Sequence, residues 1–330
     1  MTVTSDRCLV TGAGGFIGSH LVERLVREGA RVRAFVHYGS RPGLGNLDLL
    51  PAEIRGSIEV VAGDVTDPTS IDAAVAGCDV VHHLAAIISI PHSMRSPQRC
   101  LSVNAGGTLE VIDACRRHGV RRLVHASTSE VYGSGQQVPM PESHPIVPQS
   151  PYAASKVASD ALVEAARRSH GLPAVTIRPF NTYGPRQSTR AVLASIVAQL
   201  VAGAPELELG DLRPTRDFVH VEDTVAGFLA AASREAAVGG VFNLATGRET
   251  SIRDAASLAM QAVGRVVPIV ERVDRTRPER SEVRRLVGDA SAARAVLGWT
   301  PRIALEEGIR TIVEFVRRHP ERCRPSEQIA

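Results

Sequence analysis

A phenol and a primary amine four residues apart carry the most pointed chemistry in this chain: Tyr152 and Lys156 in "SPYAASK". Helical spacing runs from Tyr152 to His170 and puts both side chains on one face. A free phenol ionises near pH 10, so it acts as a base at neutral pH only beside a cation, and an ammonium one turn away is such a cation. Some twenty residues earlier, "ASTSEVYG" follows the apolar run "RRLVHA" with Thr128, Ser129 and Glu130. A hydroxyl at such a strand end can bond the same substrate hydroxyl that the phenol deprotonates. The carboxylate two residues on is a second candidate base. Together these groups suit proton abstraction from an alcohol, which becomes an oxidation once a hydride acceptor lies alongside.

That acceptor is implied at the N-terminal end. "TGAGGFIG" spaces Gly12, Gly15 and Gly18 directly after an apolar strand, and Phe16 and Ile17 open a helix. Such a loop lets the backbone turn tightly, approach a pyrophosphate closely and aim helix N-terminal amides at its charge. The expectation is a bound dinucleotide, NAD or NADP. "AGDVTD" is expected to hold the adenine ring through Asp64 and Val65, and "HLAA" to pass Leu84, Ala85 and Ala86 by the cofactor ribose. After the second strand the chain reads "FVHYGSR", without the acid that usually holds a ribose 2′-hydroxyl. His37 or Arg41 could meet a 2′-phosphate there, so the choice between NAD and NADP stays open.

The elements that must position these groups follow a regular rhythm. "RCLVTG", "RVRAFV", "SIEVVAGD", "DVVHHLAA", "RRLVHAS" and "PAVTIRP" are near-continuous apolar strands separated by helical periods. This predicts an α/β fold, a doubly wound parallel sheet covered on both faces. Beyond Pro179 the pattern loosens into "FNTYGPRQSTR" and "LGDLRPTRDF" before "DTVAGFLAAAS" and "GGVFNLAT" resume it. The expected division is a dinucleotide-binding body of 1–180 plus about 219–246, and a smaller lobe of 181–218 plus 247–330. "LEEGIRTIVEFVRRH" reads as an amphipathic helix near the C-terminus.

Composition narrows the class. With 44% hydrophobic residues among 330, the chain can bury a large core. The net charge of +3 comes from basic residues scattered among acids, which argues against nucleic-acid binding and still suits an anionic small substrate. Five widely spaced cysteines without a CxxC pair fit a reducing cytoplasm, and the histidines have no metal-ligand spacing. No apolar run approaches the roughly 18 residues that would cross a bilayer. A cytoplasmic enzyme without a metal is expected.

Taken in order, "TGAGGFIG", "GDVTD", "HLAA", "STSEVYG", "PYAASK", "RPFNTYGPR", "RDFVHVED" and "LGWTPRIALEEGI" resemble an extended short-chain dehydrogenase/reductase of the nucleotide-sugar branch, over residues 7 to about 316. The resemblance implies a Rossmann domain binding NAD(P) and a small C-terminal lobe binding a nucleotide-diphosphate sugar. It also implies a homodimer packed through a four-helix bundle, here the helices near 105–118 and 152–169. Members share a first step, oxidation at C4 of the sugar, with Tyr152 taking the O4 proton, Lys156 holding the tyrosinate and ribose, and Thr128 sharing the O4 hydrogen bond. Glu130 is surplus to a 4-epimerase, but it fits a 4,6-dehydratase as the base for the C5 proton. Ser129 stands where the dTDP-glucose enzymes have an aspartic acid and the GDP-mannose type a serine. "AAIISIPHSM" and "RPFNTYGPRQSTRAV" lean towards the GDP-mannose-like dehydratases, and especially the GDP-N-acetylglucosamine 4,6-dehydratases. A 4-epimerase, a UDP-glucuronate-type decarboxylase and a catalytically silent NAD(P)-binding regulator are the alternatives. Asn181, Arg186, Arg216 and Arg277 are expected to anchor the diphosphate, and Ser89 and Ser93 to face the hexose. Asn104 is expected either to match a family asparagine or to cap a helix.

Overall fold

The computed structural model describes residues 6–39, 43–272 and 283–323. The first half alternates β1 (Arg7–Thr11), α1 (Phe16–Arg27), β2 (Arg31–His37), α2 (Ala52–Gly56), β3 (Glu59–Gly63), α3 (Pro68–Val75) and β4 (Val80–His83). Next come α4 (Ile90–Arg95), α5 (Pro97–Leu101), α6 (Gly107–Arg117), β5 (Arg122–Ala126), α7 (Pro151–His170) and β6 (Ala174–Pro179). The second half runs β7 (Asn181–Tyr183), α8 (Val192–Val201), β8 (Leu207–Leu209), β9 (Thr215–Arg216), β10 (Phe218–His220), α9 (Val221–Ser233) and β11 (Val241–Leu244). It closes with β12 (Thr250–Ser251), α10 (Ile252–Val263), β13 (Ile269–Glu271), β14 (Arg285–Leu286) and α11 (Leu305–Arg318).

Seven strands form one sheet in the order β11-β6-β5-β4-β1-β2-β3, and every pairing is parallel. The apolar runs explain it. Successive strand residues face opposite sides, so Cys8, Val10, Val80 and Val124 enter one buried cluster while Leu9, Val81 and Leu123 enter another. Only a sheet covered on both faces buries both sets. The strand order reverses between β1 and β4, where a crevice opens at the C-terminal strand ends. Thr11 ending β1, His83 ending β4 and His125 on β5 are in register there.

A second hydrophobic cluster unites α8, α10 and α11 through Leu193, Ile196, Ala256, Met260, Ile309 and Val313. It includes Tyr183 and Leu209, which the sequence division assigned to the smaller lobe. Val283, Leu286, Ala293, Leu297 and Trp299 pack with the sheet cluster instead, so part of 247–330 belongs to the large body. Their apolar spacing gave no hint of which core they would join.

Candidate active site

Glycines shape the crevice at β1. Gly12 adopts φ +70° against Ala85, where an added Cβ would lie 2.9 Å from the Ala85 nitrogen. Gly18 sits on the loop carbonyl, and its Cβ would lie 2.2 Å from the Gly12 oxygen. α1 begins at Gly15 with no side-chain cap and no acid in its first turn. Its leading amides are thus left for an anion, which fits a pyrophosphate. Thr11 accepts from the Leu84 and Ala85 amides at 3.1 Å each, drawing the "HLAA" backbone across the loop.

On the far side of the loop, Asp64 accepts from the Thr66 amide and hydroxyl and lies 3.2 Å from the Arg99 guanidinium and 3.5 Å from His37. Burial pushes its carboxyl up, but the Thr66 bonds and Arg99 outweigh this and hold it at about 2. Arg99 was not anticipated as Asp64's partner. His37 stacks on Tyr38 with ring centroids 4.9 Å apart. Val65 is buried beneath Gly107. Arg41 and Arg277 lie outside the described residues.

The predicted catalytic groups converge. Thr128 caps a 3₁₀ turn over Ser129–Tyr132, and its hydroxyl accepts from the Glu130 amide at 3.2 Å. The cap fixes where the turn starts and hence where Glu130 projects. Tyr152 lies in the first turn of α7, which Ser150 caps through the Ala153 amide. Burial raises the Tyr152 phenol above its ordinary value; hydrogen bonding to Thr128 opposes this and the Glu130 carboxylate adds to it. Both strand-end groups are therefore within electrostatic reach of the phenol. Ser129 is buried. Lys156 is 3% exposed, and desolvation draws its ammonium down to about 8 against the pull of Asp160.

Behind this pair lies a polar row the motifs did not reveal. Asp160 accepts from Ser127 at 2.9 Å and from Arg178 at 2.9 and 3.2 Å. Arg178 also donates to the Tyr132 hydroxyl at 2.9 Å, and Tyr132 donates to Asn243 at 2.8 Å. His83 joins Thr11 and Thr108 at 2.8 and 3.0 Å. Asp160 could have been found from its i+4 spacing to Lys156. Its partners come from other strands, so sequence spacing offers no signal for them.

Asn104 does not cap a helix. It sits in a π turn, Ser102–Gly106, leading into α6. Its amide clasps the Ile87 backbone at 2.7 and 3.0 Å and donates to Ser155 at 2.9 Å, tying the loop after β4 to α7. Asn181 keeps a buried side-chain oxygen without a hydrogen-bond partner among the described residues. Ser93, expected to face the hexose, has no exposed surface and donates to the Ile90 carbonyl at 2.8 Å. Ser89 caps α4 by accepting from the His92 amide. Arg186, at φ +67°, pairs with Glu23 of α1, and Arg216 donates to the Thr215 and Val283 carbonyls at 2.9 and 2.6 Å. Both guanidiniums are thereby engaged with the protein itself. Among the described residues, no cluster of His, Cys, Asp and Glu could hold a metal ion, and no helix is long and apolar enough to cross a membrane.

A doubly wound sheet with a glycine loop at its switch point and a Tyr–Lys pair on the neighbouring helix defines a Rossmann-fold protein of the dehydrogenase/reductase class. Residues 9–312 match the family model described as GDP-mannose 4,6 dehydratase. The chain is 38% identical to a UDP-glucose 4-epimerase of Mycolicibacterium smegmatis, covering 94% of this chain and 98% of that one. It is 35% identical to a dTDP-glucose 4,6-dehydratase of Streptomyces antibioticus, covering 94% and 92%. It superposes on the dTDP-glucose 4,6-dehydratase DesIV of Streptomyces venezuelae, solved with NAD and TYD bound, with TM-score 0.85 and 28% identity over 96% and 98% of the two chains. The protein belongs to the extended short-chain dehydrogenase/reductase family of nucleotide-sugar epimerases and dehydratases.

Proposed function

We propose that the protein is a nucleotide-sugar 4,6-dehydratase that converts a nucleotide-diphosphate hexose into its 4-keto-6-deoxy form with loss of water. The observation that carries this reading is Glu130, a carboxylate one turn-start from Thr128 and electrostatically coupled to the Tyr152 phenol. Gly12, Gly15 and Gly18 with the α1 amides would hold the pyrophosphate of NAD. Phe16 and Ile17 lie at that helix start, Asp64 and Val65 would hold the adenine, and Leu84–Ala86, Tyr152 and Lys156 would hold the ribose and nicotinamide. When bound, NAD accepts a hydride from C4 of the sugar and gives it back at C6.

The chain's own groups do the proton work. Tyr152 takes the O4 proton as the C4–H bond breaks, with Lys156 supplying the cation its phenolate needs. Thr128 hydrogen-bonds the same oxygen. The resulting ketone acidifies the C5–H, and Glu130 removes that proton. The C6 hydroxyl then leaves as water on receiving the proton taken from C5, returned by Glu130 directly or relayed by Ser129, and as hydride returns to C6 the proton that Tyr152 took from O4 goes back to C5. Asn181, whose buried oxygen has no hydrogen-bond partner among the described residues, would anchor the sugar nucleotide.

A homodimer is part of the proposal. α5 and α6 both pack on α7; Leu101 of α5 and Leu109 of α6 stand 52% and 41% exposed, and Ala154, Ala161 and Ala165 of α7 are exposed as well. This apolar face suits a four-helix bundle with a second copy.

A second reading, 4-epimerisation, is favoured by the 38% identical epimerase. Incubation with nucleotide-diphosphate hexoses followed by mass spectrometry separates the two: loss of one water marks dehydration, while unchanged mass with inverted C4 marks epimerisation. In the E130Q variant, dehydration should fall by about 10²–10⁴-fold, the usual worth of a general base. Full-rate dehydration by E130Q would remove Glu130 from the mechanism.

A further inference from the structure

We infer that Asp160 is a positioning residue for the reaction: its carboxylate is the fixed counter-charge that keeps the Lys156 ammonium available to the Tyr152 base. This rests on the proposed Tyr152–Lys156 catalytic pair and extends it by one residue. Tyr152, Lys156 and Asp160 stand at i, i+4 and i+8 of α7, a single face of that helix. Tyr152 is 8% exposed, Lys156 3% and the Asp160 side chain 12%.

Asp160 is held by groups from β5, the segment after it and β6. Its Oδ2 receives three donors, one from Ser127 and two from Arg178. Its Oδ1 is buried, lies 3.3 Å from His125 Nε2 and makes no hydrogen bond among the described residues. Arg178 is itself fixed, bonded to the Tyr132 hydroxyl and 5.0 Å from that ring's centroid. The carboxylate is therefore fixed in place, one helical turn from the buried Lys156 on the same face of α7. Side chains clamped through several elements are typical of groups that must hold a charge in place.

The surrounding charges support the assignment. His125 on β5 and His83 on β4, ring centroids 5.7 Å apart, are buried and pushed below their ordinary value, so both are neutral near pH 7. Cys100 on α5 adds only a weak pull on Lys156. Burial alone would raise the Asp160 carboxyl, but His125, Arg178 and Ser127 outweigh it and keep the carboxyl ionised. Near neutrality the carboxylate that acts on Lys156 is Asp160, with Arg178 as its neighbouring cation, while the Glu130 carboxylate acts on the Tyr152 phenol. Without the anion, the desolvated lysine gives up its proton more readily than the guanidinium, and the phenol loses its cation.

The test is the pH profile of kcat with the sugar-nucleotide substrate, on folded variants checked by thermal melting. D160N should lower kcat about tenfold or more and move the alkaline limb, set by loss of the Lys156 proton, about one pH unit lower. KM for the sugar nucleotide should change little, and D160E should restore the limb. R178Q keeps the carboxylate and removes the neighbouring cation, so it should not move the limb downward. If D160N does not fold, the D160L/R178M double variant replaces the ion pair with apolar groups of similar size and should still move the limb downward. An unmoved limb in folded D160N or in the double variant, or an equal shift in R178Q, overturns the inference. Y152F is run in parallel: if it retains turnover, the catalytic pair itself is wrong, whereas an inactive Y152F with an unmoved D160N limb sinks only the role of Asp160.

Discussion

Individual side chains here are chemically ordinary and made useful by where burial puts them. Lys156 and Tyr152 are each pushed towards their neutral forms, so their pairing, rather than either group's intrinsic acidity, sets the reaction's pH range. On the proposed mechanism Glu130 decides the fate of the 4-ketone, so its amide variant should separate elimination from epimerisation. Burial also has a cost that acid exposes. His82 is fully buried, makes no hydrogen bond among the described residues and is drawn down to about 4. The unfolded chain takes up that proton near pH 6.5 and the folded chain only near 4. Stability should therefore fall as pH drops from 6.5 towards 4, by at most about 1.4 kcal/mol per pH unit for this one histidine. Urea midpoints between pH 7 and 5 measure the slope, and H82L should lessen it by about one proton; an unchanged slope would mean that His82 takes no part in acid sensitivity.

Among the elements, the β1–α1 junction is the least forgiving. α1 approaches β1 so closely that Gly18 rests on the Gly12 carbonyl, leaving no room for even a methyl group. G18A should therefore force α1 away from the loop, costing about 1–3 kcal/mol of overpacking and most of the dinucleotide affinity. Differential scanning fluorimetry with and without NAD reads both effects. The expected result is a lower melting temperature and a smaller NAD-induced rise; a normal NAD response would mean that the close approach is not needed for binding. The π turn before α6 is a second local device. By widening the helix at Asn104 it brings one amide to both Ile87 and Ser155, a clasp that regular α-helical spacing would aim elsewhere.

For the whole molecule, two cores meet at one crevice. The sheet strands carry Thr11, His83 and His125, with Thr128 just beyond β5, while α8, α10 and α11 pack in a separate cluster. Asp217 joins the loops between them, with its carboxylate accepting from the Thr246, Gly247 and Gly288 amides at 2.8, 2.8 and 3.2 Å. The apolar face of α6 and α7 should make a second copy part of the stable unit. Light scattering is expected to give a dimer for the native chain and a monomer for L109R. A monomeric native chain would rule out the bundle.

The glycine loop, the strand rhythm and the Thr128, Tyr152 and Lys156 motifs were legible because each works within one turn or one strand end, where spacing alone sets geometry. Asp160 bonded to Arg178, Asp64 to Arg99, and Ser93 sealed against Ile90 were not. Neither was the attachment of residues 283–299 to the sheet core. Those arrangements depend on which distant segments the fold brings within a few ångströms. The amino-acid order thus determined the parallel α/β architecture and singled out the candidate reacting groups. Only the packed structure decided which charges those groups face and which polar side chains are spent within the protein, because desolvation and pairing are properties of the assembled interior.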